Sequence, residues 1–230
     1  MKIIQRALAT FISIASIVIL LITAFEIGAY SDYGWYEKTY EKYDVLDKLD
    51  MEMKDVMYVT EEMMAYLRGN REDLVVETNV AGEEQEFFNN REKAHMVDVK
   101  NLFVGGVWVR RIAILIFALA CICLVNKKTD WKRLLPKSIL IGIGIFAGIV
   151  SIAGVLVATN FNKYFLVFHK IAFRNDLWLL NPETDLLIRM LPEGFFIDMV
   201  SRIGAIILLL FSISAVISIL ALCRFKNKNN

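Results

Sequence analysis

Cysteine, proline and histidine are scarce in these 230 residues: three Cys, three Pro and two His. With only Cys121, Cys123 and Cys223 there is no disulfide framework to read. All three lie at the ends of apolar runs, so an external thiol nucleophile is not expected. Two histidines are a poor basis for zinc, which takes three or more ligands, and there is no H-E-x-x-H. A G-x-S-x-G elbow, a Walker loop and a G-x-G-x-x-G after a strand are missing as well. The reading therefore calls for no metal and no cofactor.

What the chain has is apolar surface. It is 57% hydrophobic with mean hydropathy +0.49, too apolar for an ordinary soluble domain. Four runs have roughly the 20 residues a helix needs to cross a bilayer: 7–30, 103–125, 138–160 and 203–223. The first is interrupted by Glu26 and the second by Arg110 and Arg111; the other two carry no charge. The first run is longer than a signal-peptide core and lacks an A-x-A site, so it is expected to be retained. "GIGIFAG" at 142–148 reads as close helix packing in the third span.

Charge sets the expected orientation. Lys2, Arg6, Lys127, Lys128, Lys132, Arg133, Lys137, Arg224, Lys226 and Lys228 crowd the short segments, against the single Asp130. The positive-inside rule then puts both termini in the cytoplasm and 31–102 and 161–202 outside. The fold class expected is all-α: four transmembrane helices with an α-helical extracytoplasmic cap built from those two segments, in a single membrane domain over 1–230. The acidic excess of 31–100, 18 Asp and Glu against nine Lys and Arg, argues against binding nucleic acid. Apolar residues at helical spacing from Tyr40 to Leu67 predict a helix with a solvated acidic face, stopped at Gly69.

Both histidines fall in the outer segments. "FFNNREKAHMVDVKNLF" predicts a helix capped by Asn89 or Asn90 that runs directly into the second span. At a period of 3.6, Arg91, His95 and Asp98 share one face, and a carboxylate beside an imidazole can fix its tautomer. His169 lies in a crowded stretch with Lys170, Arg174, Asn175, Asp176 and Trp178 among phenylalanines. Polar groups at a bilayer boundary often mark function, and headgroup anchoring is the competing reading. Asn181, Pro182 and Glu183 predict the start of a short amphipathic helix lying at the interface and ended by Pro192.

The runs "REKAHMVDVKNLF" and "FHKIAFRNDLWLLNPETDLLIRMLPEGFF" resemble the two signature regions of the lipoprotein intramolecular transacylase family of Gram-positive bacteria. The resemblance covers most of the chain. It implies an acyltransferase that moves an acyl chain from the glyceryl sn-2 ester of a diacylated lipoprotein to the α-amino group of its own N-terminal cysteine. It also implies His95 and His169 as the catalytic pair. His169 is expected as the base, with Asp98 as an orienting carboxylate and Lys170, Arg174 or Asn175 on the oxyanion. Asp176, Trp178, Asp185, Glu26 and Arg110 are further supporting or substrate-binding candidates. Glu26, Arg110 and Arg111 are expected to line a lipid groove, to pair with one another or simply to snorkel. The implied partners are the lipoprotein and membrane lipids, and a monomer is favoured. Two other readings stay open: a non-catalytic accessory protein whose acidic cap docks a partner, and a different interfacial lipid hydrolase or acyltransferase.

Overall fold

The structure is a computed structural model and describes residues 2–126 and 130–226. Lys127, Lys128 and Lys228 of the orienting set lie outside the described residues. In chain order the elements are α1 (Lys2–Tyr30), α2 (Gly34–Lys42), α3 (Val45–Leu49), α4 (Met53–Leu67), β1 (Glu77–Val80), β2 (Glu83–Glu86), α5 (Asn90–Asn126), α6 (Trp131–Thr159), α7 (Phe161–Ala172), α8 (Leu186–Met190) and α9 (Glu193–Lys226). The class is all-α, and α1, α5, α6 and α9 are long and apolar enough to cross a membrane. The protein is a multi-pass membrane protein. At 37 residues α5 is about 55 Å long, well beyond the ~30 Å hydrocarbon layer. Its apolar part starts at Phe103, so the polar turns carrying Glu92, His95 and Asp98 lie outside the spanning stretch.

Two compact units divide the chain. The first comprises Met1–Ile27, Val107–Thr159 and Ile203–Asn230. Ile12 is fully buried there with Ala120 and Leu124, while Ile152, Val155, Leu208 and Leu220 point outward, an exposure of apolar side chains that suits lipid and not water. Of the glycines in the "GIGIFAG" run, Gly142 makes the close approach: a Cβ there would lie 3.1 Å from Ser13. Gly144 and Gly148 have open space instead. Arg110 forms an ion pair with Glu26, which satisfies both charges, and Arg111 stacks over the Trp108 ring at 4.8 Å.

The second unit comprises Gly28–Gly106 and Asn160–Arg202. Its core is aromatic and aliphatic, with Tyr36, Tyr40, Val56, Phe87, Phe88 and Met190 all essentially inaccessible. The Tyr40 hydroxyl donates to Thr60 at 2.8 Å, because the Thr60 hydroxyl is already committed to the Val56 carbonyl. The acidic segment forms three helices where one was expected, since Asp44 and Asp50 take left-handed backbone angles (φ 52° and 53°) and break the run. Gly69 (φ 80°) ends α4 as expected.

Two further expectations are corrected. An antiparallel hairpin pairs Glu77–Val80 with Glu83–Glu86 inside the 31–102 segment expected to be α-helical, turning on Ala81 and Gly82, both at positive φ. Its second strand, EEQE, is wholly exposed and has no apolar alternation to reveal it. The Asn181-Pro182-Glu183 signal makes one turn only, with Glu183 N–H donating to the Asn181 side chain, and the helix starts at Leu186. That helix buries Leu187 and Met190 in the core of the unit instead of presenting them at an interface.

The start of α9 packs so closely on α2 that a Cβ at Gly194 would overlap the Tyr43 ring, which is itself held by donation from its hydroxyl to Asp198 at 3.0 Å. Gly194→Ala is expected to destabilise the protein by about 1–3 kcal/mol through overpacking. Gly204→Ala, with nothing within 4 Å, should be neutral or stabilising by up to ~1 kcal/mol. Thermal unfolding of the detergent-solubilised variants checks both.

Candidate active site

The site starts from the first turn of α5. Asn89 caps it: its Oδ1 accepts from Arg91 N at 2.9 Å and Glu92 N at 3.0 Å. Glu92 answers by accepting from Asn89 N at 2.8 Å, a reciprocal capping box. The other Glu92 oxygen accepts from Leu187 N at 2.6 Å and so caps α8. Glu92 is completely buried, and burial pushes its pKa up against the pull of those two N–H donors. Its role was missed in the sequence, although N-x-x-E before an apolar run is the signal that marks it.

Asp185 is buried beside this hub. It accepts from Asn89 Nδ2 at 2.7 Å, Asn181 N at 2.7 Å and Thr184 Oγ1 at 3.1 Å. Burial would raise its pKa, but the Asn181 N–H, then Asn89 and Thr184, outweigh it and hold the carboxyl below its ordinary value. Its hydrogen-bonding capacity is spent within the protein, which makes it a structural anchor.

One face of α5 then receives the loop after α7. Arg91 donates to the Asp176 carbonyl at 2.5 Å, and Asn175 Nδ2 donates to Asp98 at 2.8 Å. Asp98 holds Asn175 by this bond; its expected bond to an imidazole is not formed among the described residues. Asn175 is also occupied through Oδ1, which accepts from Leu177 N, and through its carbonyl, which accepts from Trp178 Nε1 at 2.8 Å. Asn175, expected as an oxyanion donor, thus ties the loop and at the same time lines the cleft beside it.

His95 projects from the same face, 7% exposed, and His169 from α7, 9% exposed. Their ring centroids are 6.3 Å apart, and Phe173 touches both, at 5.2 Å from His95 and 5.6 Å from His169. Phe165 at 4.3 Å, Trp178 at 5.0 Å and Phe168, edge-on at 5.3 Å, also stand against the His169 ring. His169 Nδ1 lies 2.8 Å from the Phe165 carbonyl; a carbonyl only accepts, so Nδ1 carries the proton and Nε2 the free lone pair. His95 Nδ1 is buried with no hydrogen-bond partner among the described residues.

Burial disfavours the charged form of both rings. It pushes His95 down to about 4, with the neighbouring His169 adding to the effect and Asp98 opposing it. Burial also lowers His169, against the bond to Phe165. A cleft of about 520 Å³ adjoins the pair through Phe173 and Trp178, which line it with Leu166 and Leu179; Lys170, Arg174, Asn175 and Asp176 are its polar groups, and neither histidine is part of its lining. Among the described residues no three His, Cys, Asp or Glu side chains cluster as a metal site. Glu26 and Arg110 belong to the first unit, where they pair with each other.

A solved structure of the membrane integral lipoprotein intramolecular transacylase Lit from Bacillus cereus superposes with TM-score 0.81 at 24% identity, over 98% of this chain and 99% of that one. Two variants of the Bacillus cereus protein, each with a histidine substituted, match at TM-scores of 0.74 and 0.75, with 23% and 24% identity, over 97% and 96% of this chain and 94% and 95% of theirs. At this identity the likeness establishes the fold. No curated protein sequence matches. The profile of the family described as lipoprotein intramolecular transacylase Lit matches residues 10–196, and the chain belongs to that family.

Proposed function

We propose that this protein transfers an acyl chain from the glyceryl sn-2 ester of a diacylated lipoprotein to the α-amino group of the same lipoprotein's N-terminal cysteine, leaving the lyso form. The observation that carries this reading is the pair of neutral, aromatic-walled imidazoles beside a largely apolar cleft. The neutral amine attacks the ester carbonyl carbon, and His169 Nε2 takes the proton that the nitrogen must lose. The bond to the glyceryl oxygen breaks, and the proton passes to that oxygen as it leaves. No atom is gained or lost, so the reaction needs no water and no cofactor.

His95 stands beside this proton path with an unpaired Nδ1, an atom whose burial costs about 1–3 kcal/mol unless something bonds it. The substrate is the natural partner. Arg174 brings positive charge to the cleft wall, where the carbonyl oxygen becomes anionic. Because nucleophile and ester are parts of one molecule, binding it folded back on itself supplies effective molarities of ~10⁵ M or more. Asp98 and Asp185 hold the loop in place, while Asn175, Asp176 and Trp178 both tie it and line the cleft where the substrate is to lie. The three cysteines belong to the first unit, in keeping with direct transfer without an acyl-enzyme. With both termini cytoplasmic, the second unit is the cap and the site works at the outer leaflet, on lipoprotein and lipid as its partners.

The transfer leaves the substrate mass unchanged, so the assay must fragment the product. In a host lacking the activity, wild-type protein is expected to give lipoprotein N-termini whose fragments contain an acyl amide and a lyso glyceryl group. His169→Ala and His95→Ala should each lower this product by about 10²–10⁴-fold while folding normally. N-termini that keep a free amine with the wild type, or acyl chains released as free acid, overturn the assignment.

The pKa directions give a second test. With only two histidines, an imidazole-labelled sample gives two resonances. Both should titrate below the ordinary imidazole value, with the His95 signal shifting near pH 4. An unfolded chain binds these protons near pH 6.5. The folded protein refuses them, so the stability linked to His95 is complete above pH ~6.5 and is lost as pH falls toward about 4. Titration of both rings near 6.5 would contradict the buried geometry.

A further inference from the structure

Helix α7 presents a second surface besides the one that carries His169. Tyr164, Val167, Phe168 and Ile171 recur at i, i+3, i+4 and i+7, which makes one stripe on the helix. The stripe is largely uncovered: Val167 is 41% exposed, Phe168 50% and Ile171 81%. Lys163 and Lys170 border it, both exposed, and α7 contains no acidic residue. Lys163 lies over the Tyr164 ring at 5.6 Å. A single residue, Asn160, separates α7 from the end of the spanning helix α6 at Thr159, and its side chain caps α7 by accepting from Lys163 N at 3.0 Å.

We propose that α7 is an in-plane membrane helix, with the Tyr164, Val167, Phe168 and Ile171 stripe in the acyl region of the leaflet and Lys163 and Lys170 paired with the phosphates of anionic lipids. Twelve residues are too few to cross the hydrocarbon, and the stripe is too apolar to leave in water. A span ending one residue earlier delivers the chain to the boundary where such a helix is stable. Long cationic side chains beside an apolar flank bury their stems and lift their charge to the headgroups. The absence of acid on the helix selects anionic headgroups over zwitterionic ones by charge. The consequence deepens the proposed function and rests on it: with α7 anchored in the leaflet, His169 is held at the depth of the glyceryl esters, where a lipid-bound substrate presents them.

The test reads depth, so it does not depend on acyl transfer. In a full-length background with Cys121, Cys123 and Cys223 changed to Ser, a fluorophore is attached at Ile171→Cys or, as control, at Glu84→Cys in the exposed strand β2. In nanodiscs the Ile171 label is expected to be quenched several-fold more by lipids brominated near the headgroup end of the acyl chain than by aqueous iodide, with the reverse at Glu84. Iodide quenching at both positions overturns the proposal, whether or not the protein transfers acyl chains. For the headgroup contact, native mass spectrometry from phosphatidylglycerol nanodiscs should show fewer retained lipids on Lys163→Gln/Lys170→Gln than on wild type. Equal retention, or equal retention of phosphatidylcholine and phosphatidylglycerol by the wild type, overturns the anionic-lipid assignment. Inorganic phosphate added as competitor should not displace the lipid; displacement would reassign the lysines to a free-phosphate site.

Discussion

The geometry of the site depends on one buried carboxylate. Taking Glu92 out of water costs several kcal/mol unless its charge is met, and here each oxygen accepts a backbone N–H, from Asn89 and from Leu187. Both donors are orphans of helix starts, so a single side chain satisfies α5 and α8 together. Asp185, the residue before α8, returns the tie by accepting from the Asn89 amide. The first turn of α5 is thereby fixed at two points. His95 stands one turn further on, and its ring direction follows from that anchoring.

Around the histidines, polar capacity is distributed unequally. Arg91, Asp98, Asn175 and the Trp178 indole N–H are consumed in tying the loop to α5. The rings themselves face phenylalanine and tryptophan, which stabilise no charge by hydrogen bonding and lower the affinity of both imidazoles for a second proton. Where the protein does supply a bond, at His169 Nδ1, it selects a tautomer and leaves Nε2 free. Spent polar groups and unspent ring nitrogens thus lie side by side, and only the latter are available to a substrate.

Much of this was legible in the sequence because it rests on local rules. Four long apolar runs with few or no charges are sufficient to mark membrane helices, and a period of 3.6 is sufficient to put Arg91, His95 and Asp98 on one side of α5, the side that meets the 174–178 loop. The cap at Asn89 followed from side-chain chemistry one turn ahead of the helix. What was not legible depends on distant partners. Glu92 reads as one more surface acid until Leu187, 95 residues later, is known to point at it. Asn175 looks like a free amide until Asp98 and Leu177 claim it. The hairpin hides because its buried residues, Thr78 and Val80, occupy only one face of one strand and only Val80 is apolar. Asp44 and Asp50 break a helix through backbone angles that many aspartates never adopt.

A base placed beside an ester activates whatever nucleophile reaches it, and water is the competitor that the proposed reaction must defeat. Attack by water and attack by the amine pass through similar tetrahedral states, and the same imidazole serves both. The outcome is decided by proximity. Both histidines are more than nine-tenths buried among Phe165, Phe173 and Trp178, and a tethered amine arrives with its ester at an effective molarity of ~10⁵ M or more, far above that of water. For the proposed reaction the aromatic wall and the tether divide the work: the wall lowers the affinity of the base for a proton taken from water, and the tether gives the amine precedence over the nucleophile that would turn acyl transfer into hydrolysis.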